Sequence, residues 1–259
     1  MSTIAEPALT LPASQYRQIL GLQFFTGSPS QAVEHMRAGG LLVVPAAPAL
    51  KDLPLNPAYR EALLNADLTL TDSGFMVLLW NIIQRDNVKR VSGLAYLRRL
   101  LKQDHVRQPC NTFWIMSSAA SSGCNREWLT TEGISLRDED VYVAPMYSAA
   151  IEDRVLIELI RKRRPRDIIV TIGGGTQEQL GLYLKRNLDY RPAIHCLGAA
   201  IAFLSGDQVR IPVWADTLYL GWLLRCLWEP KRYVTRYWGA RKLLPLILRF
   251  RDQLPSADL

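Results

Sequence analysis

Along most of the chain, short apolar runs alternate with stretches whose apolar residues recur at helical spacing. The segments "GGLLVVPA" (39–46), "DLTLTDSG" (67–74), "NTFWIMSS" (111–118), "EDVYVAPM" (139–146), "RDIIVTIGG" (166–174) and "PAIHCLGAAIAFLSG" (192–206) read as strands ending in turns. Between them, "NPAYREALLNA" (56–66), "SGCNREWLTTEG" (122–133), "AAIEDRVLIELIRKRRP" (149–165) and "TQEQLGLYLKRNL" (176–188) read as helices. In the third of these, Ile151, Val155, Leu156 and Ile160 fall on one face. Strands alternating with helices of this length predict βαβ units and an α/β fold with a Rossmann-like, mostly parallel sheet flanked by helices. Ligands of such sheets sit beyond the carboxyl ends of the strands, so the turns "TDSGF" and "IGGGTQEQ" are the places to look.

The last third departs from this rhythm. Four of the seven tryptophans fall in "VWADTLYLGWLLRCLWEPKRYVTRYWGARKLLPLILRFRDQL", in helical segments punctuated by Pro230 and Pro245. Nine Lys/Arg lie between Arg210 and Arg251 against Asp216 and Glu229, which accounts for the whole net charge of +7. Aromatic and apolar residues interleaved with cations at helical spacing suit an anionic membrane surface. A helical appendage packed on the core with a solvated basic face is the alternative. Nucleic acid is the weaker option, because no stacking platform or recognised motif accompanies the charge.

The 259 residues suffice for one large domain with an appendage. The pattern divides them into a flexible 1–18, a core over 19–212, a basic aromatic-rich appendage over 213–251 and a flexible tail over 252–259. Four scattered cysteines and three scattered histidines offer no metal-binding spacing and predict reduced, mostly buried thiols. No signal peptide is apparent, and no run of 18 apolar residues exists to span a bilayer.

The glycine stretch is neither a Walker loop, lacking Lys-Ser or Lys-Thr, nor a complete dinucleotide fingerprint. By itself it is equally a tight turn without a ligand. Asp72, just past a strand, is placed to serve as a general base or to cap the next helix.

The order and spacing of "NPAYREALLNADLTLTDSG", "KRVSGLAYLRRLL", "IIVTIGGGTQEQ", "LGAAIAFLSGDQVRIPVW" and "GWLLRCLWEPKRYVTRYW" resemble the TagA/WecG/CpsF glycosyltransferases from about Ile19 to Trp238. The resemblance implies an inverting, metal-independent transfer of a sugar from a UDP-sugar to a polyprenyl-diphosphate-linked saccharide, with no cofactor beyond that donor. It implies a peripheral protein on the cytoplasmic face of the bacterial inner membrane, working beside other polysaccharide-assembly enzymes. Asp72 matches the family's general base, and Arg90 and Gln177 match active-site positions. Arg225, Arg232 and Arg236 match appendage arginines that reach a diphosphate once membrane docking folds the appendage over the site. Gly173, Gly174 and Gly175 leave room for nucleotide or sugar, and Ser73, Glu178 and Arg210 join the substrate-contacting set.

The chain departs from the family where Pro45 and Ala47 replace a Thr-x-Asn, and where Ser73 replaces a glycine. Ala95 and Ala202 stand in for acidic residues, and Gly221-Trp222 for a Glu-Trp. Altered specificity is the expected consequence. A degenerate member that binds nucleotide-sugar or lipid-linked glycan as a scaffold is the first rival, and a nucleotide-dependent oxidoreductase the second.

Overall fold

A computed structural model describes residues 11–148, 150–208, 212, 214–215 and 221–256; for Trp222, Arg232 and Arg236 it describes the backbone only. Among these residues eight strands form one sheet: β1 Tyr16–Ile19, β2 Leu22–Phe25, β3 Gly40–Val43, β4 Leu68–Leu70, β5 Thr112–Met116, β6 Val141–Val143, β7 Asp167–Thr171 and β8 Ala193–Cys196. Their order is β1-β2-β4-β3-β8-β7-β5-β6. Every neighbouring pair is parallel except β1 and β2, a hairpin in register from Tyr16 opposite Phe25 to Ile19 opposite Leu22. The strands form because both faces are covered, so almost every position can be apolar. Leu41, Val43, Phe113, Ile115, Ile168 and Val170 feed one core, while Leu42, Val44, Trp114, Met116 and Ile169 feed the other.

Helices begin where the sequence supplies caps. Ser28 accepts the Gln31 N–H and donates its own N–H to the Gln31 side chain, with Pro29 opening the helix Pro29–Met36. Asn56, Ser73, Ser92, Ser118 and Asp153 cap the helices Pro57–Leu64, Gly74–Gln84, Gly93–Leu100, Ala119–Thr131 and Arg154–Arg163. Helix Thr176–Asn187 packs so closely on the sheet that a Cβ at Gly181 would lie 2.6 Å from both Cys196 Sγ and Leu41 Cδ1.

Three helices close the chain: Gly221–Trp228, Pro230–Ala240 and Leu243–Phe250. The last belongs to the core, although the pattern assigned it to the appendage. Leu243 and Ile247 are fully buried among core residues, and the helix packs on Gly74–Gln84. The residues after this helix are tied to the hairpin and the core: Leu20 N–H donates to Arg251 O and Gly21 N–H to Asp252 O, while Arg60 donates to Pro255 O. The loose tail expected from 252 therefore does not begin there. All four cysteines are free, but only Cys196 is buried; Cys110 and Cys124 are exposed, against the expectation of a mostly buried set. Cys110 occupies a turn at φ +70° and Cys124 the solvent face of its helix, positions periodicity does not distinguish from core.

Candidate functional site

A cleft of about 260 Å³ opens over the carboxyl ends of β3, β4, β5, β7 and β8, where the strand order reverses. Asp72, Ser73, Arg90, Gly173, Gly174, Gln177 and Arg225 all line it, so residues spread over half the sequence converge there.

Asp72 follows β4. Its Oδ1 accepts the Gly93 N–H at 2.9 Å, and Arg90 Nη2 lies 3.6 Å from the same atom. Arg90 Nε also donates to the Asp72 main-chain oxygen at 2.6 Å, so the guanidinium fixes the turn as well as the charge. No described group bonds Oδ2, and the carboxylate is a quarter exposed to the cleft. The cap of the following helix is Ser73, whose hydroxyl accepts the Met76 N–H at 3.2 Å. Asp72 is thus not that helix's cap; it steadies the first turn of the neighbouring helix Gly93–Leu100 instead.

The glycine turn follows β7. Gly175 takes φ +95°, a conformation that side chains disfavour, whereas a Cβ at Gly173 or Gly174 would meet nothing within 4 Å. The protein itself does not need those two positions to be small. Glu178 holds the turn: its Oε2 accepts the Gly175 N–H at 2.6 Å and its Oε1 accepts from Gln177 Nε2 at 3.1 Å. Glu178 is wholly buried, which corrects its assignment to the substrate-contacting set, because its carboxylate never reaches the cleft surface. Burial pushes that carboxyl above its ordinary range, opposed by hydrogen bonds from the Gln177 side chain and from the main-chain N–H groups of Glu178 itself and Gly175. Gln177 is 2% exposed, and its Oε1 has no hydrogen-bond partner among the described residues. A buried acceptor left open beside a cleft is a place for a ligand donor.

The helices Gly221–Trp228 and Pro230–Ala240 already contribute to the lining of this cleft, although the appendage was expected to fold over it on docking. Arg225 stacks 4.2 Å from the centre of the Phe203 ring and donates to Tyr237 Oη at 3.0 Å. Tyr233, also on the lining, donates to Gln208 at 3.0 Å. Arg232 and Arg236 lie on the helix Pro230–Ala240, where only their backbones are described, and Arg210 lies outside the described residues altogether.

Pattern reasoning missed further polar residues of the lining: Ser121, Asn125, Asp207, Tyr233 and Tyr237. The fold alone brings these together, and only Asn125 and Ser121, near the start of a helix after a strand, carried a positional signal. Among the described residues no group of three His, Cys, Asp or Glu side chains is arranged to hold a metal ion.

Comparison with known proteins adds one finding. The model of the glycosyl transferase WecG/TagA/CpsF family matches residues 17–257. No curated protein matches the chain.

Proposed function

Since this chain belongs to the WecG/TagA/CpsF family of glycosyl transferases, we propose that it transfers a sugar from a UDP-sugar to a polyprenyl-diphosphate-linked saccharide. The observation that carries this is the meeting, in one cleft, of the Asp72 carboxylate, the Arg90 and Arg225 guanidinium groups and the open glycine turn.

In the proposed step, an acceptor hydroxyl oxygen bonds to the anomeric carbon as the bond to the UDP phosphate oxygen breaks. The hydroxyl proton passes to Asp72, and attack opposite the leaving group inverts the anomeric centre. The charge that develops on UDP is met by guanidinium groups, whose planar forks suit phosphate oxygens and need no metal. Gln177 Oε1 accepts from a sugar hydroxyl, and the bare glycine backbone lets the ligand approach. Radiolabelled UDP-sugars incubated with a synthetic lipid-diphosphate acceptor should yield labelled lipid. A second reading is the non-enzymatic scaffold, favoured by the apolar wall of Val44, Ala46, Ala47 and Pro48 after β3. UDP binding without transfer from any donor would establish that alternative.

By the same reading the protein works on the inner face of the cytoplasmic membrane. Among the described residues no helix is long and apolar enough to cross a membrane. Instead Leu227, Trp228, Val234, Trp238, Leu244 and Leu248 stand exposed on the C-terminal helices. Arg241 stacks 4.3 Å from the Trp238 ring centre, and Lys242 and Arg249 follow it in sequence. The core helix Gly74–Gln84, on which Leu243–Phe250 packs, also exposes Leu78 and Ile82, one helical turn apart. Aromatic and aliphatic side chains rimmed by cations match an anionic lipid surface. The double variant Trp228→Glu/Trp238→Glu should reduce flotation with phosphatidylglycerol vesicles about tenfold or more, given about 1.5–3 kcal/mol for each large apolar side chain removed from water. Unchanged flotation would remove membrane docking from the proposal.

A further inference from the structure

The wall of the cleft farthest from Asp72 carries a closed ring of polar side chains. Ser121 Oγ donates to Asp207 Oδ2 at 2.6 Å, and Asn125 Nδ2 lies 3.4 Å from that hydroxyl oxygen. Ser205 Oγ donates to Asn125 Oδ1 at 2.7 Å and accepts from the Asp207 N–H at 3.4 Å, returning the circuit to its start. Ser121 and Asn125 are almost completely buried, whereas Asp207 is exposed, and all three line the cleft. A network of buried polar groups is costly unless it holds one arrangement, and here the arrangement aims a carboxylate. Only Oδ2 of Asp207 is bonded to another side chain among the described residues, leaving Oδ1 as an acceptor toward the cleft. Asn125 Nδ2 has only weak partners, Ser121 Oγ and Met116 Sδ at 3.5 Å, so it retains donor capacity for a ligand oxygen.

Position along the sheet says which part of a ligand this wall meets. Asp72 follows β4 and Ser121 follows β5, with β3, β8 and β7 between, a separation of four strand spacings or roughly 19 Å. The glycine turn after β7 and the Arg225 guanidinium lie in the same cleft. A ligand that reacts at Asp72 and whose nucleotide runs along the cleft past the glycines has its far end at Ser121, Asn125 and Asp207.

We propose that Asp207, held by Ser121, Asn125 and Ser205, is a specificity-determining residue that accepts a hydrogen bond from the ribose 2′-hydroxyl of the nucleotide. The carboxylate selects a ribonucleoside diphosphate over its deoxy counterpart. This rests on the sugar-nucleotide reading above, and the experiment separates the two.

Titration calorimetry of the full chain with UDP and with 2′-deoxy-UDP measures the discrimination directly. Wild type should bind UDP about tenfold more tightly than 2′-deoxy-UDP, as expected for one hydrogen bond to a charged acceptor. In Asp207→Asn the UDP affinity should fall by about that factor while 2′-deoxy-UDP binding hardly changes, so the ratio approaches one. Ser121→Ala, which frees the carboxylate without removing it, should give an intermediate ratio. Asp207 is exposed, so the Asn variant should unfold at the wild-type temperature, and a melt verifies this. Full discrimination in Asp207→Asn would overturn this inference and leave the sugar-nucleotide reading intact. Absence of UDP binding to wild type would overturn both.

Discussion

Asp72→Asn should lower the rate of sugar transfer by about 10²- to 10⁴-fold, the range a positioned general base supplies. The substitution isolates the chemistry because it preserves the geometry. An Asn Oδ1 still accepts the Gly93 N–H that ties this turn to the helix Gly93–Leu100. Arg90 still donates through Nε to the main-chain oxygen of residue 72, so the turn stays in place. The loss is confined to the capacity to take a proton from the acceptor hydroxyl. UDP affinity should therefore stay within about twofold, and the effect should appear in kcat. A variant that retains more than a tenth of the wild-type rate would show that Asp72 is not the base. Loss of UDP binding together with the rate would show instead that the carboxylate organises the site through Arg90.

The second large effect concerns stability and lies within the sheet. Asp167, at the start of β7, is almost fully buried between two histidines. Its Oδ1 lies 3.0 Å from His195 Nε2 and its Oδ2 3.2 Å from His105 Nε2, while His195 Nδ1 pairs with Tyr96 Oη at 2.9 Å. Burial alone would raise this carboxyl, but the histidine contacts outweigh it and hold the pKa at about 2. The folded value thus lies below the unfolded one of about 3.9. The resulting stabilisation, about 2–3 kcal/mol, is complete above about pH 5 and is lost as the pH falls through 4 toward 2. Asp167→Asn should cost about 1–3 kcal/mol at pH 7, because the amide has a single acceptor oxygen where the carboxylate has one for each histidine, leaving a buried N–H without its partner. Urea unfolding of both proteins should show their difference in stability shrinking as the pH drops from 5 to 3. A pH-independent difference, or one below about 0.5 kcal/mol, would mean that the network contributes packing and not charge.

Four residues of that network, Tyr96, His105, Asp167 and His195, come from four segments, and nothing in their spacing announced them. The same limit applied at the cleft. The position of Asp72, Gln177, Gly173 and Gly174 at the cleft was legible because strand ends in a parallel sheet project toward a common edge. The role of Glu178 was not legible, since helix position alone does not say whether a carboxylate faces ligand or folds back on its own first turn. Likewise Leu243–Phe250 continued the composition of the basic region, yet the burial of Leu243 and Ile247 made it part of the core. The hairpin Tyr16–Phe25 escaped the pattern because its four-residue strands are too short to show a period. Its register is set by pairing with each other and with β4.

The chain order alone decided the architecture: apolar runs of strand length, separated by capped helices, can bury both faces only as a largely parallel sheet with its loops gathered at one end. Which side chains then meet across that end depends on strand order, and strand order depends on contacts among residues far apart. Asp207 reaches Ser121 only because β8, β7 and β5 stand side by side, and Arg225 reaches the cleft only because its helix folds back over β8's loop. Local preference fixes an element within a few residues. Convergence on one cleft is a property of the packed whole.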